Sequence, residues 1–320
     1  MRLSPSDLRA LNVFRALVEH RGFAGAQVAL GMGQSTISFH LKALEARLGF
    51  QLCHRGRRGF DLTERGREIF RESEGVVSAL SNFEQKIGEL RHQIVGRLRV
   101  GVVDNTLTDP NLAIHDAIRV CLRRAPEADI HLTIGSPETL VTEVAAGGIN
   151  LAVTPQIDFV SGLQQISFYK EWHALYCGRL HALYSRTAEP EAGRVERHGF
   201  VIRPYGGRRE LQHFPRAKVA AYASNMEAHA RFILSGALLG YLPEHFALRW
   251  VESGDLRPLL APATRIQSQF VILTRIEPSP PPLQRLFVRE IMRRKGPVRP
   301  PAEAGLQNGR PAARISVASI

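Results

Sequence analysis

Residues Phe23 to Arg55 constrain this chain more than any others, because they read as two short helices around a sharp turn and then a cationic hairpin. Over Phe23 to Leu30 the residues Ala26, Ala29 and Leu30 stand at packing spacing, and Gly31-Met32-Gly33 supplies the backbone freedom for an abrupt reversal. A second helix is predicted from Gln34, where Ile37, Leu41, Leu44 and Leu48 recur at helical steps and seat one face against the helices before it. Its other face is polar: Gln34, Ser35, Thr36 and Ser38 crowd the first turn, and Lys42 follows. Free N–H groups at a helix N-terminus favour a phosphate, and short polar side chains there reach the edges of bases in a groove. Gly49 tolerates the positive φ that closes such a helix.

Phe50 to Arg55 then has strand character, Gly56-Arg57-Arg58-Gly59 makes a cationic turn and Phe60-Asp61-Leu62 returns. The whole reads as a winged helix-turn-helix. Arg55, Arg57 and Arg58 stand where a wing straddles a nucleic-acid backbone, a contact that sets affinity rather than sequence choice. A solvated charge run is the competing reading of those arginines.

From Thr63 to Leu90 the chain is free of proline and opens on a residue suited to capping a helix. Val76, Leu80, Phe83, Ile87 and Leu90 alternate steps of four and three, a seam too narrow for a globular helix and suited to a partner helix. That pattern argues for a homodimer. Two groove-reading helices on a two-fold axis imply double-stranded DNA with an inverted repeat, its half-sites about one helical turn apart.

The 320 residues are enough for two or three domains, and a formal net charge of +12 draws the chain toward a polyanion. Sign alone does not choose among nucleic acid, a membrane surface and acidic partners. Cys53, Cys121 and Cys177 are odd in number and widely spaced, so neither a disulfide framework nor a zinc finger is indicated, and a reducing compartment is expected. The N-terminal Met1 to Pro5 leads directly into a helical pattern, and no apolar run approaches a bilayer span. A cytoplasmic protein without a membrane partner is the expectation.

Beyond Gly96 the pattern changes to short strands alternating with helices. Leu98 to Val103 reads as a strand, 104–110 as a polar loop ending on a proline, and Asn111 to Arg124 as a helix. Ile130 to Ile134, a helix from Glu138 to Ala146 and a strand from Ile149 to Val153 follow. Two helix N-termini thus fall at the carboxyl ends of parallel strands, where ligands bind in open α/β sheets. Near the end, Gln284 to Arg294 is predicted helical, and residues 296–320 are rich in Pro, Gly, Ala and Arg and read as a disordered tail.

Residues 7 to 66 closely resemble the DNA-binding end of LysR-type transcriptional regulators. The resemblance rests on Leu8 and Phe14, Gly22-Phe23, Ala26 and Leu30, Gln34 to Ser38, Leu44-Glu45, Leu48-Gly49, His54-Arg55 and Leu62 to Gly66. Gly33 stands where the family usually has a Ser or Thr cap, at a cost of about a few tenths of a kcal/mol, and Cys53 where it usually has an aromatic residue. The rest of the chain is similar, more weakly, to the effector domain of that family, a two-lobed α/β fold like type II periplasmic solute-binding proteins. Asn105-Thr106, Gly135-Ser136-Pro137, Gly147 to Val153, Ser224 to Glu227 and Gly240 to Pro243 carry that similarity.

The resemblance implies a multidomain chain: an all-α winged helix-turn-helix domain over 1–62, a linker and dimerisation helix over 63–91, and the α/β two-lobed effector domain over 92–295. Lobe I would take about 96–157 and 273–295, and lobe II about 158–272. It implies a dimer, commonly a homotetramer, and a small-molecule effector, an organic acid among the candidates, without a resident cofactor or metal. For the cleft between lobes the candidates are Asn105, Thr106, Thr108 and Ser136 from lobe I, Thr154 near the crossover, and Tyr205 with Gly206 from lobe II. Hydroxyls and amides hold a carboxylate, and Arg203, Arg208 and Arg209 would add positive potential if they face inward, whereas Asp104 and Asp109 oppose it. Plain helix capping explains Thr106, Thr108 and Ser136 equally well.

Catalysis has little support. The 12 histidines form no HxxxH or HExxH spacing, and no GxSxG or GxxxxGK is present. A regulator that is not an enzyme is therefore expected. The alternatives are a sequence-tolerant architectural DNA-binding protein with no effector, or a DNA-binding enzyme with chemistry in the cleft.

Overall fold

A computed structural model of the chain describes residues 4–56, 59–90, 94–185, 188–204 and 207–293. The expected tail and the expected site residues Arg57, Arg58, Tyr205 and Gly206 lie outside that set. The N-terminal head consists of helices α1 (Pro5–Glu19), α2 (Phe23–Leu30) and α3 (Gln34–Leu48), then a hairpin of β1 (Cys53–Gly56) and β2 (Gly59–Leu62). Ser4 caps α1, its hydroxyl accepting from the Asp7 N–H while the Asp7 carboxylate accepts from the Ser4 N–H. Phe14, Leu17, Ala26, Ile37, Leu41 and Leu44 close the head's core, with Leu52 and Cys53 sealing it from below. Gly49 ends α3 at φ 82°, the left-handed conformation that its sequence position predicts.

Helix α4 (Glu64–Leu90) leaves the wing directly. Thr63 accepts the Gly66 N–H at 2.9 Å as its cap and donates to the Gln51 carbonyl at 2.8 Å, so one hydroxyl joins helix to hairpin. Gly66 is needed there, because a Cβ would come within 1.9 Å of the Leu52 carbonyl oxygen. Arg15, buried on α1, donates to the Ser73 carbonyl at 3.2 Å and lies over the Phe70 ring, which fixes the second turn of α4 against the head.

The α/β region begins with β3 (Gly96–Val102), then α5 (Ile114–Arg124), β4 (Ala128–Ile134), α6 (Pro137–Ala146) and β5 (Leu151–Pro155). β4, β3 and β5 run parallel, which demands helical crossovers and explains the strand–helix alternation in the sequence. Expectation and structure differ before α5: Thr106–Thr108 form a single 3-10 turn and the helix starts at Ile114 rather than Asn111. Asp109 accounts for the delay, its Oδ1 accepting from both the backbone and the side-chain amide of Asn111 and holding the chain in a turn.

The chain then passes through the long strand β6 (Leu163–Gly178) into α7 (Ala192–Val195), β7 (Gly199–Ile202), β8 (Lys218–Tyr222), α8 (Met226–Leu234), β9 (Gly240–Pro243), α9 (Glu244–Glu252) and β10 (Leu256–Leu259). It returns along β11 (Ile266–Arg275) to α10 (Pro282–Arg293), which packs beside α5. β6 and β11 pair antiparallel and belong to both lobes. Phe168, Tyr169 and Phe270 lie in the first lobe's core, whereas Leu175, Cys177 and Leu259 lie in the second's. Glu171 and His173 fall between those cores, where the strands cross from lobe to lobe, and both are buried.

Candidate nucleic-acid interface and effector cleft

Helix α3 turns Ile37, Leu41 and Leu44 fully into the head. The opposite face follows from the 3.6-residue period: Gln34, Ser35, Thr36 and Lys42 are exposed and Ser38 is half-buried. Gly33 occupies the cap position in extended backbone and offers no side-chain acceptor, leaving the first-turn N–H groups open to a phosphate. Phe39, which sequence reasoning passed over, lies on this face between Ser35 and Lys42 with 68 % of its surface exposed. Its position three and four residues from polar neighbours was the available signal, since an apolar residue off the packing stripe needs a reason to be there.

The wing hairpin forms, with its first strand starting at Cys53 rather than Phe50. Cys53 pairs with Leu62 and Gly56 with Gly59, and Cys53 fills the base of the hairpin as a small buried residue. Arg55 lies on β1 opposite Phe60. Along α4, Leu80, Phe83 and Ile87 are exposed and Val76 is half-buried, so the heptad seam faces away from its own chain. The Leu90 side chain lies outside the described residues.

The cleft residues divide more sharply. A cavity of about 420 Å³ opens between the loop after β3 and helices α8 and α9, lined by Asp104, Asn105, Glu227, Arg231, Arg249 and Trp250 among others. Asn105 is held at φ 68°, and its buried Oδ1 has no hydrogen-bond partner. Thr108 reaches the second lobe, its hydroxyl 2.8 Å from Nδ1 of His245. Among the described candidates only Asn105 lines the cavity itself. Thr106 is buried and donates to the Val103 carbonyl within its own loop, and Ser136 caps α6 by accepting from the Thr139 N–H. Thr154 is wholly buried in β5 with its hydroxyl donated to the Pro155 carbonyl. Short hydroxyls at strand ends satisfy local backbone first, which is why pattern alone did not separate caps from ligand contacts.

Arg203 is likewise buried and pairs with Glu210, so its charge is already answered. The cationic surface of the cavity comes instead from Arg249, whose guanidinium stacks over Trp250 at 4.0 Å, and from Arg231, paired with Glu227 at 2.7 Å. Asp104 accepts the Met226 N–H at 2.5 Å at the start of α8, while burial pushes its carboxyl above the ordinary range. The cavity therefore offers a carboxyl group and a cation on an aromatic platform.

Two family models match the chain. The bacterial regulatory helix-turn-helix model of the lysR family covers residues 8–67, and the LysR substrate-binding domain model covers residues 91–295. The transcriptional activator BauR of Pseudomonas aeruginosa is 35 % identical over 276 residues, 86 % of this chain and 90 % of BauR. Among solved structures, CbnR, a LysR family transcriptional regulator, superposes with a TM-score of 0.63 at 19 % identity, covering 89 % of this chain and 98 % of CbnR. CbnR complexed with its target DNA gives 0.61 at 20 % identity, over 90 % of this chain and 99 % of CbnR. No described helix is long and apolar enough to cross a membrane. The chain belongs to the LysR family: it is a transcriptional regulator that joins a helix-turn-helix head to a two-lobed effector-binding domain.

Proposed function

We propose that a homodimer of this cytoplasmic regulator sets the first turn of α3 in the major groove at each half of an inverted repeat, and pairs further into a tetramer. The observation that carries the reading is the exposed row Gln34, Ser35, Thr36 and Lys42 on a helix whose other face is fully seated in the head. That CbnR, which shares the fold, is found complexed with its target DNA supports duplex DNA as the partner. Arg55, Arg57 and Arg58 supply backbone contacts from the wing, and Val76, Leu80, Phe83, Ile87 and Leu90 the dimer seam.

The effector is a small organic acid in the cavity between α8, α9 and the loop after β3, its carboxylate on Arg249. An effector that binds one lobe arrangement better than another biases how dimers pack and how far the DNA between them bends, so effector and DNA affinities influence each other. The chain performs no chemistry on its ligand. Gln34→Ala should lower affinity for the chain's own upstream DNA about tenfold, on the scale of one lost base contact, with little change on scrambled duplex. Fluorescence anisotropy on both duplexes checks this, and equal loss on the two would refute direct readout by α3.

A further inference from the structure

The crossing between the lobes gathers a second set of groups that neither the DNA interface nor the effector cavity uses. Asp109 from the loop before α5, Glu171 from β6 and His245 from the first turn of α9 each present one donor atom, and the three atoms lie within 4.8 Å of one another. We propose that these residues form a binding site for a divalent transition-metal ion, of the Mn2+ or Zn2+ class, that ties lobe I to lobe II.

The geometry is that of a prepared site. Nε2 of His245 stands 2.9 Å from Oε1 of Glu171 and 3.8 Å from Oδ2 of Asp109. Donors bonded to one such ion at about 2.0–2.2 Å are separated by roughly 3–3.5 Å, so small side-chain rotations suffice. Each donor is also oriented by a partner on its far side. Thr108 holds Nδ1 of His245 at 2.8 Å, His173 holds the other Glu171 oxygen at 2.6 Å, and Asn111 occupies Oδ1 of Asp109 from two nitrogens at 2.8 and 3.0 Å.

Asp109 supplies the independent sign. Its side chain is 0 % exposed, and its Oδ2, 3.8 Å from Nε2 of His245, has no hydrogen-bond partner at normal distance; the buried Tyr169 hydroxyl, also unpartnered, faces the same carboxylate. A buried acceptor left open costs about 1–3 kcal/mol, more when charged, unless something fills it. Neither carboxylate is paired with a lysine or arginine among the described residues. Two carboxylates and one imidazole suit a borderline divalent ion better than a soft one. Helix α9 carries both His245 and the cavity residues Arg249 and Trp250, so occupancy by the ion also biases the effector cavity.

The competing way to satisfy these groups is a proton on the imidazoles, and equilibrium dialysis separates the two. Tag-free full-length protein, stripped with a chelator, is dialysed against Mn2+ or Zn2+ and the bound metal is counted by elemental analysis. One ion per chain is expected, with affinity falling at least about tenfold in Asp109→Asn and in His245→Gln and unchanged in His115→Ala, a histidine exposed on α5. Matching far-UV circular dichroism shows that each variant is folded, and either variant alone decides. Wild-type protein that takes up no stoichiometric ion at about 1 mM metal, or folded variants that bind as wild type does, would overturn the site.

Discussion

The head and the lobe crossing place their working groups in opposite ways. In the head the candidate residues lie within nine positions, Gln34 to Lys42, on the solvent side of one helix whose fold is held entirely by the other side. At the crossing they come from Asp109, Glu171 and His245, on three separate elements, with both carboxylates buried and the imidazole partly so. A surface site can change its polar residues without disturbing its core. A crossing site cannot, because its charged groups are part of the packing that joins the lobes.

Four measurements sharpen or break that contrast. The largest effect is expected at the seam that makes two heads act together. Phe83→Asp sets a charge at an exposed position of α4, where 65 % of the ring is open in the single chain. It should convert the dimer to a monomer at micromolar concentration and weaken operator binding by about a hundredfold or more, since the second half-site no longer binds at high effective concentration. Sedimentation velocity reads the first and anisotropy the second; an unchanged dimer would move the interface elsewhere.

Next is Gly66→Ala. A Cβ there meets the Leu52 carbonyl oxygen at 1.9 Å, backbone against backbone, so the head should lose about 3 kcal/mol while the α/β region keeps its own transition. Calorimetry that showed both transitions falling together would mean that the two regions unfold as one unit.

The α/β region should lose stability in mild acid. His229 is fully buried in α8 with both ring nitrogens unpartnered. Burial, then the charges of Arg203 and His173, hold its pKa down to about 3 from 6.5. A histidine depressed in the folded state contributes stability that is complete above about pH 6.5 and is lost as pH falls toward about 3. The α/β region should thus weaken by about 2 kcal/mol between pH 6.5 and pH 5, at 1.36 kcal/mol per unit, and His229→Leu should flatten that slope. Urea melts at several pH values check it. A slope unchanged in the variant would assign the acid sensitivity to other groups, His181 first, which burial and then His198 hold down to about 4.

Smallest is Lys42→Ala, which should reduce the salt dependence of DNA binding by about one counterion on specific and scrambled duplex alike. A loss confined to the specific duplex would instead make Lys42 a reader of bases.

The head was legible because a single period and a few glycines encode it. Ile37, Leu41 and Leu44 mark the buried stripe, Gly49 the stop, and the hairpin follows at once, so the helix bounds read from the sequence agree with those observed for α2 and α3. The α/β order was legible from its strand–helix rhythm, while the start of α5 was not, because a local Asp109–Asn111 turn competes with helix formation there. The cleft was legible only in part. Asn105 and Thr108 reach the junction, but the groups that give the cavity its charge, Arg249 and Glu227, lie on helices whose facing only the lobe arrangement decides. Glu171 and His245 are 74 residues apart, and no spacing rule connects them.

The joint at Thr63, Gly66 and Arg15 has a mechanical consequence. Because the wing, the base of α4 and helix α1 are locked by hydrogen bonds on both sides of Gly66, the reading helix has no hinge of its own. Any adjustment to the distance between half-sites must come from the angle at which two long helices cross, and α4, 27 residues or about 40 Å long, magnifies it. A few degrees at the far end of that lever become ångströms at the bases, so slight repacking beside the effector domain is enough to carry the heads onto, or off, a pair of half-sites.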